Sequence, residues 1–155
     1  EIRKLVAYSS GKEVGVTEVG LLVAENFETD VFSLTNAIAD RQKQKAMDLL
    51  NKFLKGQSGA EEKGAIIQLN ALLSEQFRNV AIVQDFITRK TSETDILEKT
   101  GWKSGRLFVI KKIADRFEPK KVLETLNKFY ALDEELKTSQ VPPRTLLDLI
   151  LSQLF

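Results

Sequence analysis

The stretch that decides the fold is residues 62–90, "EKGAIIQLNALLSEQFRNVAIVQDFITRK". Large apolar side chains recur in it at steps of three or four residues, from Ile66 through Phe77 to Ile87. That period places them on one face of an α-helix, whereas a half-buried strand would alternate every second residue. At 1.5 Å per residue this helix would span roughly 40 Å, which is longer than a small bundle needs merely to close. We therefore predict that it is the central rod of an all-α protein.

The segments on either side of the rod have the same helical period, and no alternating strand pattern stands out. Ser92 and Asp95 resemble a capping box and Gly101 a helix stop, while Pro119 and Pro143 stand where a helix can begin. The other predicted helices cover residues 30–41, 43–56, 93–101, 105–117, 119–137 and 143–155, besides one ending at Gly11 and one capped by Thr17. The fold class predicted is all-α.

A polar joint with two glycines, "QSGAEEKG" at residues 57–64, is the predicted domain boundary. It separates a small helical bundle, residues 1–56, from a larger all-helical domain, residues 57–155. The chain begins at Glu1 inside a helical pattern, "EIRKLVAY", and we interpret it as a piece of a longer protein.

Composition excludes several classes of function. The 155 residues contain no histidine and no cysteine, so Ser–His and Cys–His nucleophile pairs and thiolate metal sites cannot form. We expect no catalytic residue, no cofactor and no metal. Because no run of about 18 apolar residues and no signal peptide occurs, we also expect no membrane span and a cytoplasmic location.

A local excess of positive charge lies at residues 102–121, although the whole chain has a net charge of only +1. Helix, short turn and basic helix over residues 92–117 follow the order of a helix-turn-helix DNA reader. Phosphate contacts are possible for four cations: Arg106, Lys111, Lys112 and Arg116. Against this, Phe108 shares their outward face, and no base-reading cluster accompanies them. A solvated basic face and a nucleic-acid-binding domain both stay open.

Asp133 falls on the predicted apolar stripe of helix 119–137, together with Leu126, Phe129, Tyr130 and Leu136. A buried carboxylate needs a charged or hydrogen-bonding partner. We predict a structural role, either as an ion pair with Arg78 or Lys137 or as a cap at the break before Val141.

The last segment, "RTLLDLILSQLF" at residues 144–155, carries two adjacent apolar stripes. A helix that is apolar over so wide an arc is either central in its own core or shared with another chain. Both alternatives stay open. If it is shared, the predicted interface residues are Leu147, Ile150, Leu151, Leu154 and Phe155.

A resemblance to a known family covers nearly the whole chain. The segments that carry it are "VFSLTNAIADRQKQKAMDLLNKFLKG" (31–56), "LLSEQFRNV" (72–80), "SETDILEKTGW" (92–102), "VIKKIADRF" (109–117), "LNKFYALDEELKT" (126–138) and "LLDLILSQL" (146–154). In this order they resemble the delta subunit of the bacterial DNA polymerase III clamp loader. The most specific matches are Phe77-Arg78-Asn79, Lys111-Lys112, and Asp133 with Leu136-Lys137.

The resemblance implies a lid domain at residues 1–56 and an all-α collar domain at residues 57–155, without the AAA+-like domain that precedes them in the family. It implies a non-catalytic assembly module of the polymerase III holoenzyme, whose partners are other clamp loader subunits packed through the collar. The sliding clamp would be contacted only through the domain that is missing here, and DNA only indirectly within the complex. A helix-turn-helix-like domain using residues 105–117 is the alternative function.

Overall fold

The computed structural model describes residues 27–155, with side chains described from Asp30 onward. Every element in that range is an α-helix, so the all-α prediction is confirmed there. The helices are α1 (Phe27–Ala39), α2 (Lys43–Phe53), α3 (Gly59–Thr88), α4 (Glu93–Thr100), α5 (Ser104–Ala114), α6 (Pro119–Thr138) and α7 (Pro143–Ser152). The helices predicted around Gly11 and Thr17 lie outside the described residues.

Both ends of α4 and the starts of α6 and α7 follow from local chemistry that is visible in the sequence. The Ser92 hydroxyl oxygen accepts a hydrogen bond from the Asp95 backbone N–H at 3.2 Å and so caps α4. Gly101 ends α4 with φ +68°, the left-handed conformation that glycine adopts without a steric penalty. Pro119 and Pro143 occupy the first positions of α6 and α7, where a missing backbone N–H costs nothing. These predicted starts and stops are confirmed.

Helix α3 is the central element, and it packs against α1, α5, α6 and α7. Its predicted stripe is buried as far as Val83. Ile87, the last residue of the predicted stripe, is exposed because the neighbouring helices no longer cover α3 there. The 30-residue helix therefore packs against four of the other six described helices.

An aromatic ring and a polar side chain of α3 fix its neighbours in place. The Phe77 ring lies 5.2 Å from that of Phe117, edge to face, and 5.5 Å from that of Phe129 on α6. The Gln84 side-chain amide donates hydrogen bonds to the carbonyl oxygens of Ala114 and Phe117, at 3.1 and 2.8 Å. Ala114 is the last residue of α5 and Phe117 lies just past it, so Gln84 anchors that end of the helix to α3.

The polar joint at residues 57–64 does not divide the hydrophobic core. Buried residues from Val31 to Leu54 belong to the same cluster as Leu151 near the other end of the chain. Helix α1 packs directly on α3, and α3 already begins at Gly59, inside the joint. The division at residues 56 and 57 stays a prediction, to which the packing of residues 30–155 lends no support.

Asp133 does not lie on the buried face of α6, and that prediction is wrong. The buried face is formed by Val122, Thr125, Leu126, Phe129, Leu132 and Leu136, while Tyr130 is exposed. Asp133 follows Leu132 and is therefore rotated about 100° away from it around the helix. Its side chain is 42% exposed and accepts a hydrogen bond from Lys137, 2.5 Å away and one turn further along. It forms an ordinary surface pair.

Of the roles predicted for Asp133, the ion pair with Lys137 forms, whereas the pair with Arg78 and the cap before Val141 do not. Arg78 is exposed on α3, and no ion pair joins it to Asp133 within residues 30–155. The break before Val141 is capped instead by the Ser139 hydroxyl, which accepts from the Val141 backbone N–H at 3.1 Å.

Candidate partner-binding surfaces

Helix α7 packs most of its apolar surface into the core of its own chain. Leu147 and Leu151 have no exposed surface, and Leu146 is buried beside them where α7 meets α3 and α6. Fully buried side chains cannot contact a partner unless the fold opens. The predicted interface role of Leu147 and Leu151 is therefore wrong for this fold, and the alternative of a helix central in its own core describes them.

The remaining predicted residues of this segment, Ile150, Leu154 and Phe155, are partly exposed at the edge of the core. The most exposed apolar residue of α7 is Leu149, with 54% of its surface accessible. The sequence pattern was not used to predict its exposure. The spacing could have found it. Leu149 stands two positions from both Leu147 and Leu151, about 200° around the helix, so it must face outward when they face inward.

Three of the four cations predicted to contact phosphates are engaged by acidic side chains of this chain. Arg106 lies 3.1 Å from Glu75 of α3, and Lys111 lies 2.5 Å from Glu93 of α4. Arg116, just past α5, donates to both Asp40 and Asn36 at the end of α1, each at 3.1 Å. These pairs join α5 to three other helices, so the cations act within the fold.

Lys112 is the fourth cation, and its ammonium lies 4.5 Å from the centre of the exposed Phe108 ring. This is a cation–π contact on the outer surface of α5. A phosphate-binding row needs several cations free to replace the counterions of DNA. Since three of the four are neutralised by their partners, the geometry does not favour the helix-turn-helix alternative.

A groove of about 470 Å³ opens where α1, α3 and α5 meet. Its walls are Val31 and Phe32 of α1, Leu72, Glu75 and Gln76 of α3, and Gly105, Arg106 and Val109 of α5. The Glu75–Arg106 ion pair crosses its α3–α5 edge, and the rest of the lining is largely apolar. Gln76 is only 5% exposed, and its side-chain nitrogen has no hydrogen-bond partner in the described structure. Sequence reasoning missed this groove, because three helices distant in sequence form it.

The titratable groups of residues 30–155 do not converge on a reactive centre. Among these residues no cluster of three or more potential metal ligands occurs. The pKa of Glu124 lies below its ordinary value, chiefly because Lys121 donates a hydrogen bond to it at 2.9 Å, with Lys120 and Lys128 adding positive charge. The Glu124 side chain is partly exposed on α6, so this shift reflects a surface charge cluster. None of the helices described has the length and apolar composition that crossing a bilayer requires.

Comparison with known proteins agrees with the fold. The chain is 26% identical to DNA polymerase III subunit delta of Bacillus subtilis (strain 168) over 155 residues, which are 99% of this chain and 43% of that protein. The solved structure of the Bacillus subtilis DNA clamp loader delta protein superposes with a TM-score of 0.80 at 25% identity, covering 99% of this chain and 44% of that one. The chain thus spans less than half the length of these relatives.

A family model gives the same answer over most of the chain. The model described as the DNA polymerase III delta subunit, C-terminal domain, matches residues 28–154. That range begins at α1 and ends in the last residues after α7, so it includes every wall of the groove and every helix of the continuous core. By this match, and by the all-α fold it shares with a solved clamp loader delta protein, the chain belongs to the family of the DNA polymerase III delta subunit, C-terminal domain.

Proposed function

We propose that this chain is a non-catalytic assembly module that joins a clamp loader delta subunit to the other subunits of the loader. The observation that carries the proposal is the family match over residues 28–154, on a fold shared with a clamp loader delta protein. The module would hold the delta subunit in the loader pentamer that places the sliding clamp on DNA during replication in the cytoplasm.

The distribution of side chains supports a binding role. The one groove with a largely apolar lining and a buried unpaired amide, among those of residues 30–155, contains a carboxylate already paired with a guanidinium. Such a site offers contact area and hydrogen bonding and lacks the second titrating group that acid–base chemistry requires. Several large apolar side chains also stay exposed on different helices, including Phe108, Leu123, Tyr130 and Leu149.

The proposed partners follow from the family. Other loader subunits would pack on the surface of the helical fold, and DNA would be reached only within the complex. Contact with the sliding clamp belongs, in this proposal, to a part of the delta subunit outside the chain.

Mixing this chain with the other clamp loader subunits of the same organism tests the proposal. We expect co-elution in size-exclusion chromatography at micromolar concentration, at a volume earlier than that of any component alone. Separate elution of all components, for a chain whose helical circular dichroism is intact, would contradict the assembly role.

Duplex DNA provides the comparison with the alternative function. We expect the isolated chain to show no salt-dependent binding to duplex DNA that is weakened by Lys112→Gln and Arg116→Gln. The reason is that Arg116 is held by Asp40 and Asn36. Binding whose salt dependence falls on these two substitutions would favour the nucleic-acid-binding role instead.

A further inference from the structure

We infer that the cavity between the α1–α2 turn, α6 and the residues after α7 binds a phosphoryl group through the Thr125 hydroxyl and the side chains of Arg41 and Lys128. This cavity has a volume of about 190 Å³ and is named the Thr125 cavity below. Binding of an anion there needs no other subunit, so the inference goes beyond the assembly role and does not rest on it. It is carried by an unpaired hydroxyl, by an excess of positive charge, and by the backbone conformation of Arg41.

The Thr125 hydroxyl is the first observation. Thr125 is only 6% exposed, yet it lines the cavity. A threonine within a helix can donate its hydroxyl to the carbonyl oxygen four positions earlier, and four helical threonines of residues 30–155 do so: Thr35, Thr88, Thr100 and Thr138. Thr125 makes no hydrogen bond through its hydroxyl within those residues. Its oxygen is not among their fully enclosed unpaired atoms, so a ligand in the cavity can reach it.

The charge of the lining is the second observation. Three cationic side chains and one carboxylate line the cavity, which leaves an excess of positive charge: Arg41, Lys121, Lys128 and Glu124. Lys121 donates to Glu124 at 2.9 Å, and Lys128 donates to the main-chain oxygen of Gln153 at 2.7 Å. Arg41 has no ion pair within residues 30–155. The lowered pKa of Glu124, caused first by the hydrogen bond from Lys121, agrees with this excess.

The backbone at Arg41 is the third observation. Arg41 follows α1 with φ +54°, and the Gln42 backbone N–H closes the turn by donating to the Ala37 carbonyl oxygen at 2.8 Å. Glycine is the usual residue at this position of a helix end, because a side chain is unfavourable in the left-handed region. The chain thus places an arginine where glycine would fit better, and this arginine lines the cavity beside Thr125. Such backbone strain is often found at functional sites.

The combination of these groups selects a phosphoryl group as the ligand. Phosphoryl oxygens are negatively charged and accept hydrogen bonds, so a guanidinium, an ammonium and a hydroxyl all suit them. A cation would be repelled by the excess of positive charge, and an apolar ligand would desolvate the charged side chains without compensation. The phosphoryl group can belong to a free nucleotide or to a nucleic acid strand, and the choice of probe distinguishes these two sources.

Two left-handed cations of the chain allow a matched experiment. Arg41→Gly removes a cation from the cavity and relieves the backbone at the same time. Lys90→Gly is the control, because Lys90 follows α3 with φ +53° and the Thr91 N–H closes the same turn onto the Phe86 carbonyl oxygen at 3.0 Å, outside the cavity. Both variants lose one positive charge and should be as stable as the original chain or more stable. Thr125→Val removes the hydroxyl and keeps the shape of the side chain.

The test measures, by isothermal titration calorimetry at low salt, the dissociation constants of the whole chain and its variants for three probes. The probes are inorganic phosphate, a nucleoside triphosphate and a short single-stranded oligodeoxynucleotide. For the probe that binds most tightly, we expect Arg41→Gly to weaken binding about tenfold or more and Lys90→Gly to change it less than about twofold. Thr125→Val should weaken it about threefold or more. Thermal unfolding of each variant checks that the fold is intact.

The outcomes decide both the site and the source of the phosphoryl group. Tightest binding of the triphosphate supports the site with a free nucleotide as ligand, and tightest binding of the oligonucleotide supports it with a strand. If the unsubstituted chain binds none of the probes, the inference is wrong and the assembly role is unaffected. Equal weakening by Arg41→Gly and Lys90→Gly would overturn it, because only the overall charge would then matter. Unchanged binding by Thr125→Val would also overturn it, since the ligand would not enter the cavity.

Discussion

Helices α5 and α7 have nearly the same length, 11 and 10 residues, but their sequences suggest opposite roles. The sequence indicates that α7 is strongly apolar and that α5 is basic. In the fold both helices have a buried and an exposed face: α7 buries Leu146, Leu147 and Leu151 and leaves Leu149 54% exposed. Helix α5 buries Leu107, Ile110 and Ile113 and leaves Phe108 58% exposed and Val109 partly exposed.

The buried face of each helix is the one that its neighbouring helices cover. Helix α7 lies against both α3 and α6, so most of its wide apolar arc is covered within the chain. Helix α5 rests mainly on α3, with a smaller contact to α1, and the space left beside it is the groove. An apolar composition therefore does not identify a binding helix. What identifies it is apolar surface that the chain's own helices leave uncovered.

The largest expected effect tests whether α7 is core. Leu151→Ala should lower the free energy of unfolding by about 2–5 kcal/mol, because it leaves a cavity where Leu151 is fully buried. The exposed Leu149, two residues away, is the matched control, and Leu149→Ala should change stability by less than about 0.5 kcal/mol. Urea denaturation measures both. Equal losses at the two positions would show that α7 is not packed as described.

The next effect compares the two α3 glutamines that face α5. Gln84→Leu should cost about 1–3 kcal/mol, because the carbonyls of Ala114 and Phe117 lose their shared donor. Gln76→Leu should leave the isolated chain as stable or make it more stable, because it removes a buried donor without a partner. Chemical denaturation of the two variants in parallel gives the comparison, and a destabilising Gln76→Leu would mean that this amide is satisfied in solution.

A smaller effect concerns the charges that tie α5 to α1. Arg116→Gln should cost about 0.2–1 kcal/mol, since the pair with Asp40 is more than a third exposed. The loss should shrink as salt is raised, because exposed ion pairs are screened. Lys112→Gln is the control on the same surface and should cost less, since Lys112 contacts the Phe108 ring without an acidic partner. Thermal unfolding at low and high salt distinguishes them.

The smallest effect separates a surface pair from the buried one that the sequence suggested for Asp133. Asp133→Asn should cost about 0.3–0.5 kcal/mol, as for other pairs one turn apart on a helix surface. A buried pair that lost one partner would cost about 3–5 kcal/mol instead. A loss of stability in that higher range, measured by urea denaturation, would show that Asp133 is buried and that α6 presents a different face to α3.

The prediction for Asp133 failed because of helical phase. Three members of the predicted stripe, Leu126, Phe129 and Leu136, are buried. Tyr130 and Asp133 each directly follow a buried residue, so they are turned about 100° away from it, toward the surface. On α3 the stripe is longer, and its phase was fixed by seven apolar residues, of which the first six, from Ile66 to Val83, are buried. Length therefore made the pattern on α3 reliable, while the stripe on α6 had too few members to exclude the neighbouring phase.

The sequence by itself determined the seven helices of residues 27–155 and placed their ends to within three residues, because caps, prolines, glycines and the helical period act within a few residues of each other. It also pointed to the family, through segments kept in order along the chain. Only the tertiary structure decided which apolar faces are covered, which cations are paired, and where a groove remains. Those properties depend on contacts between helices that are distant in sequence. The groove between α1, α3 and α5, for example, is lined by residues from 31 to 109. No local pattern records such contacts, since packing follows from how the helices are arranged in space.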